Sequence, residues 1–301
     1  MIMNNPFEME GNWYKGSLHT HTTGSDGEKS PEELAEHYRS QGYDFLYITD
    51  HGKVTDTDGL GSDDFLVLPG AELGASGDEG KRGYHLVALG IREADGLSSA
   101  MDAQEVIDGI GEKGGVAVVA HPYWSALTIH DILRLTGYIG IEVYNTSCDY
   151  SIGKGHSHVY WDGLLSRGRC VWGVADDDVH WHFNDHRPLD ACGGWVMVRA
   201  PELTEGSVLD ALRNGHFYAS NGPMIDEISV GPDSVIAHAS DSKTIGFIAD
   251  ASRGESFTSP EGKMLSSAEF RPRGGEQYLR VECTDCDGRT AWSNPLWVEG
   301  S

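Results

Sequence analysis

The chain reads as an α/β protein: a parallel-stranded barrel, closed or nearly so, followed by a small antiparallel β domain. Two observations predict this. Over roughly the first 220 residues, short apolar runs rich in β-branched and aromatic residues alternate with capped, helix-like segments. That is the pattern of repeated strand–helix–strand units, and about seven of them suffice to curl a sheet into a barrel. From about residue 224 the helical texture stops, and strand-like runs follow one another through Asp-Gly and Gly-Gly turns.

Strands are predicted at residues 14–20, 45–49, 65–69, 84–89, 116–120, 139–144, 170–175 and 195–198. Between them, residues 31–41 form the clearest helix: Ser30 can cap it, Pro31 suits the first helical position, and Glu33 completes a capping box. Residues 103–113, 159–167 and 204–214 follow, the last closed by Gly215. Beyond residue 224, strands are predicted at 225–230, 244–250, 269–272, 277–284 and 289–298. Asn221-Gly222-Pro223 marks the boundary, giving a barrel over 1–222 and a β-sandwich-like domain over 223–301.

Length and composition narrow the function. The 301 residues, 39% hydrophobic and 23% charged, describe an ordinary globular protein with one large domain, or one domain and a small companion. With 22 Lys and Arg against 47 Asp and Glu, the net charge of −25 repels phosphate backbones and anionic lipid. A small-molecule substrate is therefore expected, and neither a nucleic-acid nor a membrane partner. Residues 1–11 lack a basic segment followed by an apolar one, so no signal peptide is expected and a cytoplasmic location is. Assembly into a homo-oligomer is left open. The five cysteines have no regular spacing, and Cys283-Thr284-Asp285-Cys286 reads as packing rather than a metal or redox pair.

The chemistry lies at the strand ends. His19-Thr20-His21 closes the first strand, and strand alternation turns both imidazoles to one face, where they can chelate an ion. Asp26 follows in a polar loop, and Asp50-His51 directly follows the second strand. Glu72 stands just past the third strand, His85 opens the fourth, and His121-Pro122 follows the fifth. Asp176-Asp177-Asp178-Val179-His180 ends the run 170–175, and three adjacent carboxylates repel one another unless a cation neutralises them. Carboxyl ends of barrel strands are where barrel enzymes keep their sites. Imidazole and carboxylate donors suit Zn²⁺, Mn²⁺ or Fe²⁺, and this many donors imply two or three ions. His37, His130, His216 and His238 read as structural or surface residues, while His156, His158, His182 and His186 are candidate substrate contacts. Lys53, Arg82 and Arg187 are candidates to hold an anionic group.

These motifs, His19-Thr20-His21 with Asp26, Thr49-Asp50-His51, Glu72 with His85, His121-Pro122 and Asp178-Val179-His180, resemble the PHP (polymerase and histidinol phosphatase) superfamily over roughly residues 13–200. The resemblance implies a distorted (β/α)7 barrel and a trinuclear site. It implies that His19, His21, Glu72 and Asp178 hold one metal, that Glu72 bridges to a second completed by His85 and His121, and that Asp26, His51 and His180 hold a third. Asp26 stands where several relatives have His. Asp50, Asp176 and Asp177 then become supporting residues, Asp176 and Asp177 also being rival ligands to Asp178. The opening Gly-Asn-Trp-Tyr-Lys-Gly-Ser-Leu-His-Thr-His and the later Ala-Trp-Ser-Asn-Pro are similar to stand-alone bacterial PHP metallohydrolases, including carbaryl-hydrolase-like enzymes.

A metal-dependent hydrolase is the function expected, a phosphoesterase whose metal-bridging hydroxide attacks phosphorus, with Glu72, Asp178 and His180 at the catalytic centre. A carbamate, ester or amide hydrolase on the same metals is the rival enzyme, and a metal-stabilised binding module the rival of another class.

Overall fold

The computed structural model describes residues 2–3, 5–77 and 83–298 and centres them on a 15-stranded mixed sheet, with a second sheet of 3 strands beside it. In chain order come β1 (Ile2–Met3), β2 (Asn12–Ser17), α1 (Pro31–Ser40), β3 (Phe45–Ile48), β4 (Leu66–Ala75), β5 (Tyr84–Leu89), α2 (Ala103–Glu112) and β6 (Val116–Val119). Next are α3 (Ile129–Leu133), β7 (Gly140–Asn145), α4 (Thr146–Ile152), α5 (His158–Leu165), β8 (Trp172–Asp176), β9 (Trp195–Ala200), α6 (Glu205–Asn214) and β10 (Phe217–Ser220). Only strands follow: β11 (Ile225–Val230), β12 (Val235–Ser242), β13 (Thr244–Ala249), β14 (Glu255–Thr258), β15 (Leu265–Phe270), β16 (Tyr278–Thr284), β17 (Thr290–Ser293) and β18 (Leu296–Val298).

The helices form where their caps say they should. Ser30 accepts from the Glu33 amide while Glu33 accepts from the Ser30 amide, and Asp102 and Glu105 repeat the arrangement at α2. Gly215, at φ 73°, ends α6 in the left-handed conformation that a residue with a Cβ resists. Strands β3, β6, β7 and β8 are buried throughout, as strands covered on both faces must be.

Pairing departs from the all-parallel expectation. β2–β3, β3–β4, β6–β7 and β7–β8 are parallel, but β5 runs antiparallel to both β4 and β6, and β9 antiparallel to β2. The cause is connection length: β4 and β5 are too close in sequence for a crossover helix, so the chain doubles back. Ring closure is correspondingly slight. The ladder path ends at β8, which meets β2 only beyond the strands, through one parallel bridge between Thr20 and Val179. Asp178 N donates to His19 O and His21 N to Val179 O across that seam.

The strand-only region is stitched to the rest. β10 pairs with β17, so the main sheet continues across Asn221-Gly222-Pro223 into the C-terminal strands. One hydrophobic core there combines Ile245, Phe247, Phe270 and Val281 with Trp13, Met197 and Tyr218. Buried Arg280 on β16 reaches back to Asp162 of α5 at 2.6 Å, and Asn294 accepts from the Gly173 amide of β8 at 3.0 Å. Cys283 is packed in this core and Cys286 is exposed in the following turn. Among the described residues no helix is long and apolar enough to cross a membrane.

Candidate metal centre

The His19-Thr20-His21 segment is held extended by its middle residue. Thr20 Oγ1 donates to Tyr47 O at 2.7 Å, Thr20 N donates to Thr49 Oγ1, and the Thr49 amide donates to Thr20 O. With Thr20 pinned outward, both imidazoles turn to the same side, where their Nε2 atoms lie 3.1 Å apart. Glu72 arrives from within β4 rather than just past a strand, because β4 runs on to Ala75. His85 sits at the start of β5, and the antiparallel turn brings that start to the same rim as the ends of the parallel strands. His121 and Asp178 have φ of 26° and 53°, a region ordinary side chains avoid. Such backbone strain is tolerated where a site demands a particular side-chain direction.

Among the described residues three donor groups result: His19, His21, Glu72 and Asp178; then Glu72, His85 and His121; then His21, Asp26, His51 and His180. They contain all nine sequence-predicted metal ligands, and His21 lies close enough to belong to the first group and the third. In the first group, the Nε2 atoms of His19 and His21 lie 3.3 and 3.2 Å from Glu72 Oε2, and 3.4 and 3.1 Å from Asp178 Oδ1. Four donors at ~2.0–2.1 Å from one ion in tetrahedral arrangement stand ~3.3 Å apart. The donor atoms thus already have the spacing of a coordination shell.

Glu72 is the junction. Its Oε1 lies 2.6 Å from His85 Nδ1 and 3.1 Å from His121 Nε2; its Oε2 faces His19, His21 and, at 3.0 Å, His51 Nδ1. Glu72 Oε2 is buried without a hydrogen-bond partner, an orphan a cation would satisfy. The third group is more open: His51 Nε2 is 3.6 Å and His180 Nε2 3.4 Å from an Asp26 carboxylate whose side chain is 57% exposed.

Titration behaviour reflects this concentration of opposite charge. Burial alone would depress His19, but the carboxylates of Asp178, Glu72 and Glu142 outweigh it and hold its pKa well above the ordinary value. Against the same burial penalty, the neighbouring carboxylates of Asp178 and Glu72 raise His21 to about 9. Glu72 and Asp178 go the other way: burial favours their neutral forms, yet His19 and its neighbours hold both below the usual carboxylate range. Protons occupy in this site the positions a cation would take, so metal binding must displace them.

Sequence reasoning missed the residue that organises the cluster. Glu142, fully buried within β7, accepts from His19 Nδ1 at 2.6 Å, from the His121 amide at 2.7 Å and from Asn145 Nδ2 at 2.9 Å. Its bond to Nδ1 leaves His19 Nε2 as the lone-pair nitrogen facing the cluster. Asn145 also donates to Asp178 Oδ2 at 3.2 Å. The signal was available, since a carboxylate in a strand buried at every position must have a partner.

The supporting acids separate cleanly. Asp50 accepts from Thr22 N and Oγ1, Ser25 Oγ and Thr55 Oγ1, shaping the loop that carries Asp26. Asp176 accepts from Leu18 N, and Asp177 from Tyr38 OH and the amides of Cys192, Gly193 and Gly194. Both are turned away from the donor groups, whereas Asp178 belongs to one of them. Asp190 accepts from the amides of His180 and His182.

Above the cluster lies a cavity of about 300 Å³, lined by site residues together with Trp124, Ser147, Cys148, Ser151, His182 and Arg187. Arg187 donates to Ser147 Oγ at 3.0 Å and lies 3.5 Å from Asp190. Lys53 is exposed and lines a different groove, because the chain turns outward after His51. Arg82 lies outside the described residues. Of the histidines considered for substrate contact, His182 lines this cavity, and His156 lines another beside Trp195. His37 packs edge-on against Trp181.

No family model and no curated protein matches the chain. Among solved structures, a two-domain protein of Bacteroides vulgatus, described as containing a predicted PHP-like metal-dependent phosphoesterase, superposes with a TM-score of 0.55 at 15% identity. The match covers 95% of this chain and 96% of that one. The chain shares the fold of that protein. Two further matches are weaker. One is an amidohydrolase of Chromobacterium violaceum (TM-score 0.41, 19% identity, 55% of this chain and 87% of that one). The other is a Bifidobacterium adolescentis protein to which metal-dependent phosphoesterase activity is ascribed (TM-score 0.43, 16% identity, 60% and 94%). None of the three bears on the narrower likeness to carbaryl-hydrolase-like enzymes.

Proposed function

We propose that the protein is a metal-dependent hydrolase, acting as a phosphoesterase on a small substrate. The observation that carries this reading is the shared Glu72 carboxylate, which joins donor groups close enough to place neighbouring cations over one substrate. His19, His21, Glu72 and Asp178 would hold one ion; Glu72, His85 and His121 a second; and Asp26, His51 and His180 a third. Zn²⁺, Mn²⁺ or Fe²⁺ bound there would acidify water and neutralise charge on the substrate oxygens.

The protein's own groups do the rest. Glu142 fixes the His19 tautomer, and Asn145 orients the Asp178 carboxylate. His180 donates from Nδ1 to Asp178 O at 2.8 Å, which leaves its Nε2 as an acceptor at the cavity edge. Arg187 presents a guanidinium into the cavity, pre-oriented by Ser147 and Asp190 for the oxygens of a phosphoryl group. In the net reaction a water oxygen bonds to phosphorus, the bond to the leaving oxygen breaks, and a proton from the water ends on the leaving alcohol. A distorted (β/α)7 barrel over 1–222, a small β-sandwich-like domain over 223–301 and a cytoplasmic location belong to this reading.

One observation favours the rival enzyme. Among the described residues lining the cavity, Arg187 is the only Lys or Arg, so an uncharged carbamate, ester or amide would also be accommodated. Openness of the third group argues against a purely structural metal site, which would be closed. Hydrolysis of p-nitrophenyl phosphate, p-nitrophenyl acetate and carbaryl, with Mn²⁺ or Zn²⁺ supplied separately, discriminates these readings. Turnover of the phosphate is expected. Turnover of only the acetate or carbaryl would transfer the site to carbonyl chemistry, and no turnover with metals bound would overturn both.

A further inference from the structure

The cavity over the donor groups has walls of unequal character. Most of its lining residues are polar by type, among them Ser147, Ser151, Arg187, His182 and the donor residues. Among the described lining residues Trp124 is the one large apolar side chain, and it is 43% exposed. An indole at the mouth of a cavity offers a large, rigid, amphipathic contact surface. Its orientation is fixed from below, with the ring set edge-on against His121 at 5.1 Å and 76° and tilted against His85 at 6.1 Å.

The segment carrying it is braced on both sides. Ser125 N donates to His121 O, Ala126 N to Tyr123 O and Leu127 N to Pro122 O, winding residues 121–127 into consecutive turns. Ala126 takes a left-handed φ of 55°, and Leu127 is buried in the core beneath. Tyr123 N donates to Ser157 Oγ from the far side. Trp124 is thus presented as a rigid platform rather than on a mobile arm, and rigid aromatic surface binds with little ordering cost.

We propose that Trp124 is a specificity-determining residue that stacks on a flat aromatic group of the substrate, making the preferred substrate a small aryl phosphomonoester. This rests on the phosphoesterase reading above and deepens it. A monoester has a single organic substituent, its leaving alcohol. With the phosphoryl group at the donor cluster and Arg187, that substituent must occupy the remaining space along the indole. A cavity of about 300 Å³ sits at the small end of ligand pockets, with room for one or two rings beside the donor groups.

Phosphonates separate binding from leaving-group reactivity, because neither phenylphosphonate nor methylphosphonate can be hydrolysed. Titration of the Mn²⁺-loaded protein by calorimetry is expected to show phenylphosphonate binding about tenfold more tightly than methylphosphonate. In Trp124→Ala the preference should fall towards one, and Trp124→Phe should restore most of it, with metal content measured in parallel. Equal affinity for the two ligands in the wild type, or a preference that survives Trp124→Ala, overturns the inference and leaves the phosphoesterase reading standing. Failure of both phosphonates to bind overturns the phosphoesterase reading and the inference with it.

Discussion

The buried donor group of His19, His21, Glu72 and Asp178 and the open group of Asp26, His51 and His180 use the same chemistry in opposite surroundings. In the first, the two imidazoles and Glu72 are almost fully buried, donor atoms stand 3.1–3.4 Å apart, and Glu142 and Asn145 support two of the ligands. In the second, Asp26 is 57% and His51 38% exposed, and the donor spacings are 3.4 and 3.6 Å. Support there comes indirectly, through Asp50 shaping the Asp26 loop and Asp190 holding the amides of His180 and His182. Rigid, desolvated donors bind a cation tightly, whereas an exposed carboxylate first has to be ordered and is screened by water. On the proposed reading, one site would keep a metal and the other would exchange one.

The largest effect is expected at the residue common to the groups. Glu72→Gln should lower kcat by at least about 10³-fold and reduce bound metal below one ion per chain, with circular dichroism unchanged. Activity within tenfold of wild type would remove Glu72 from the centre. Glu142→Gln should come next. It leaves every donor atom in place but loses the charge that fixes the His19 tautomer, so metal affinity should fall about 10–100-fold in a chelator competition assay. A residue that only packed β7 would leave that affinity unchanged. Asp26→Ala should act on the open side alone, removing the weakest metal equivalent and lowering kcat by roughly tenfold, with recovery at raised Mn²⁺. Loss of all bound metal in that variant would erase the distinction between the groups.

A smaller effect should appear with pH. The folded pKa values of His19, His21 and His121 are raised, so in metal-free protein their contribution to stability is complete below the ordinary histidine range. It is lost as pH rises through the folded values, about 9 for His21. Metal affinity should climb over the same window, because each ligand must shed its proton. Thermal denaturation with and without Mn²⁺ between pH 6.5 and pH 9 should diverge, and parallel curves would count against proton displacement at these histidines.

Much of the candidate site was legible because its residues recur at strand ends, where regular structure converts sequence position into spatial position. His19 and His21 needed only strand alternation, and His51, His121 and Asp178 only the rule that parallel strands share a rim. His85 obeyed a different logic. It opens its strand, and only the antiparallel run of β5 brings that opening to the rim, a pairing set by tertiary contact rather than by local pattern. Glu142 carries no strand-end signal, because its carboxylate lies inside β7. Asp176 and Asp177 were ambiguous for a related reason: adjacent residues on a strand face opposite ways, and the hydrogen bonds that commit each come from Leu18, Tyr38 and residues 192–194, distant in sequence. The continuation of the main sheet through β10 into β17 had no local signature at all.

The central claim is that one carboxylate, Glu72, joins a closed and an open metal site. Stepwise titration of metal-stripped protein with Mn²⁺, following bound metal and phosphatase activity together, tests it most directly. The account predicts tight uptake that precedes activity, then weaker uptake that Asp26→Ala removes, and neither phase in Glu72→Gln. Uptake in a single phase that Asp26→Ala leaves unchanged, or full uptake in Glu72→Gln, would contradict it.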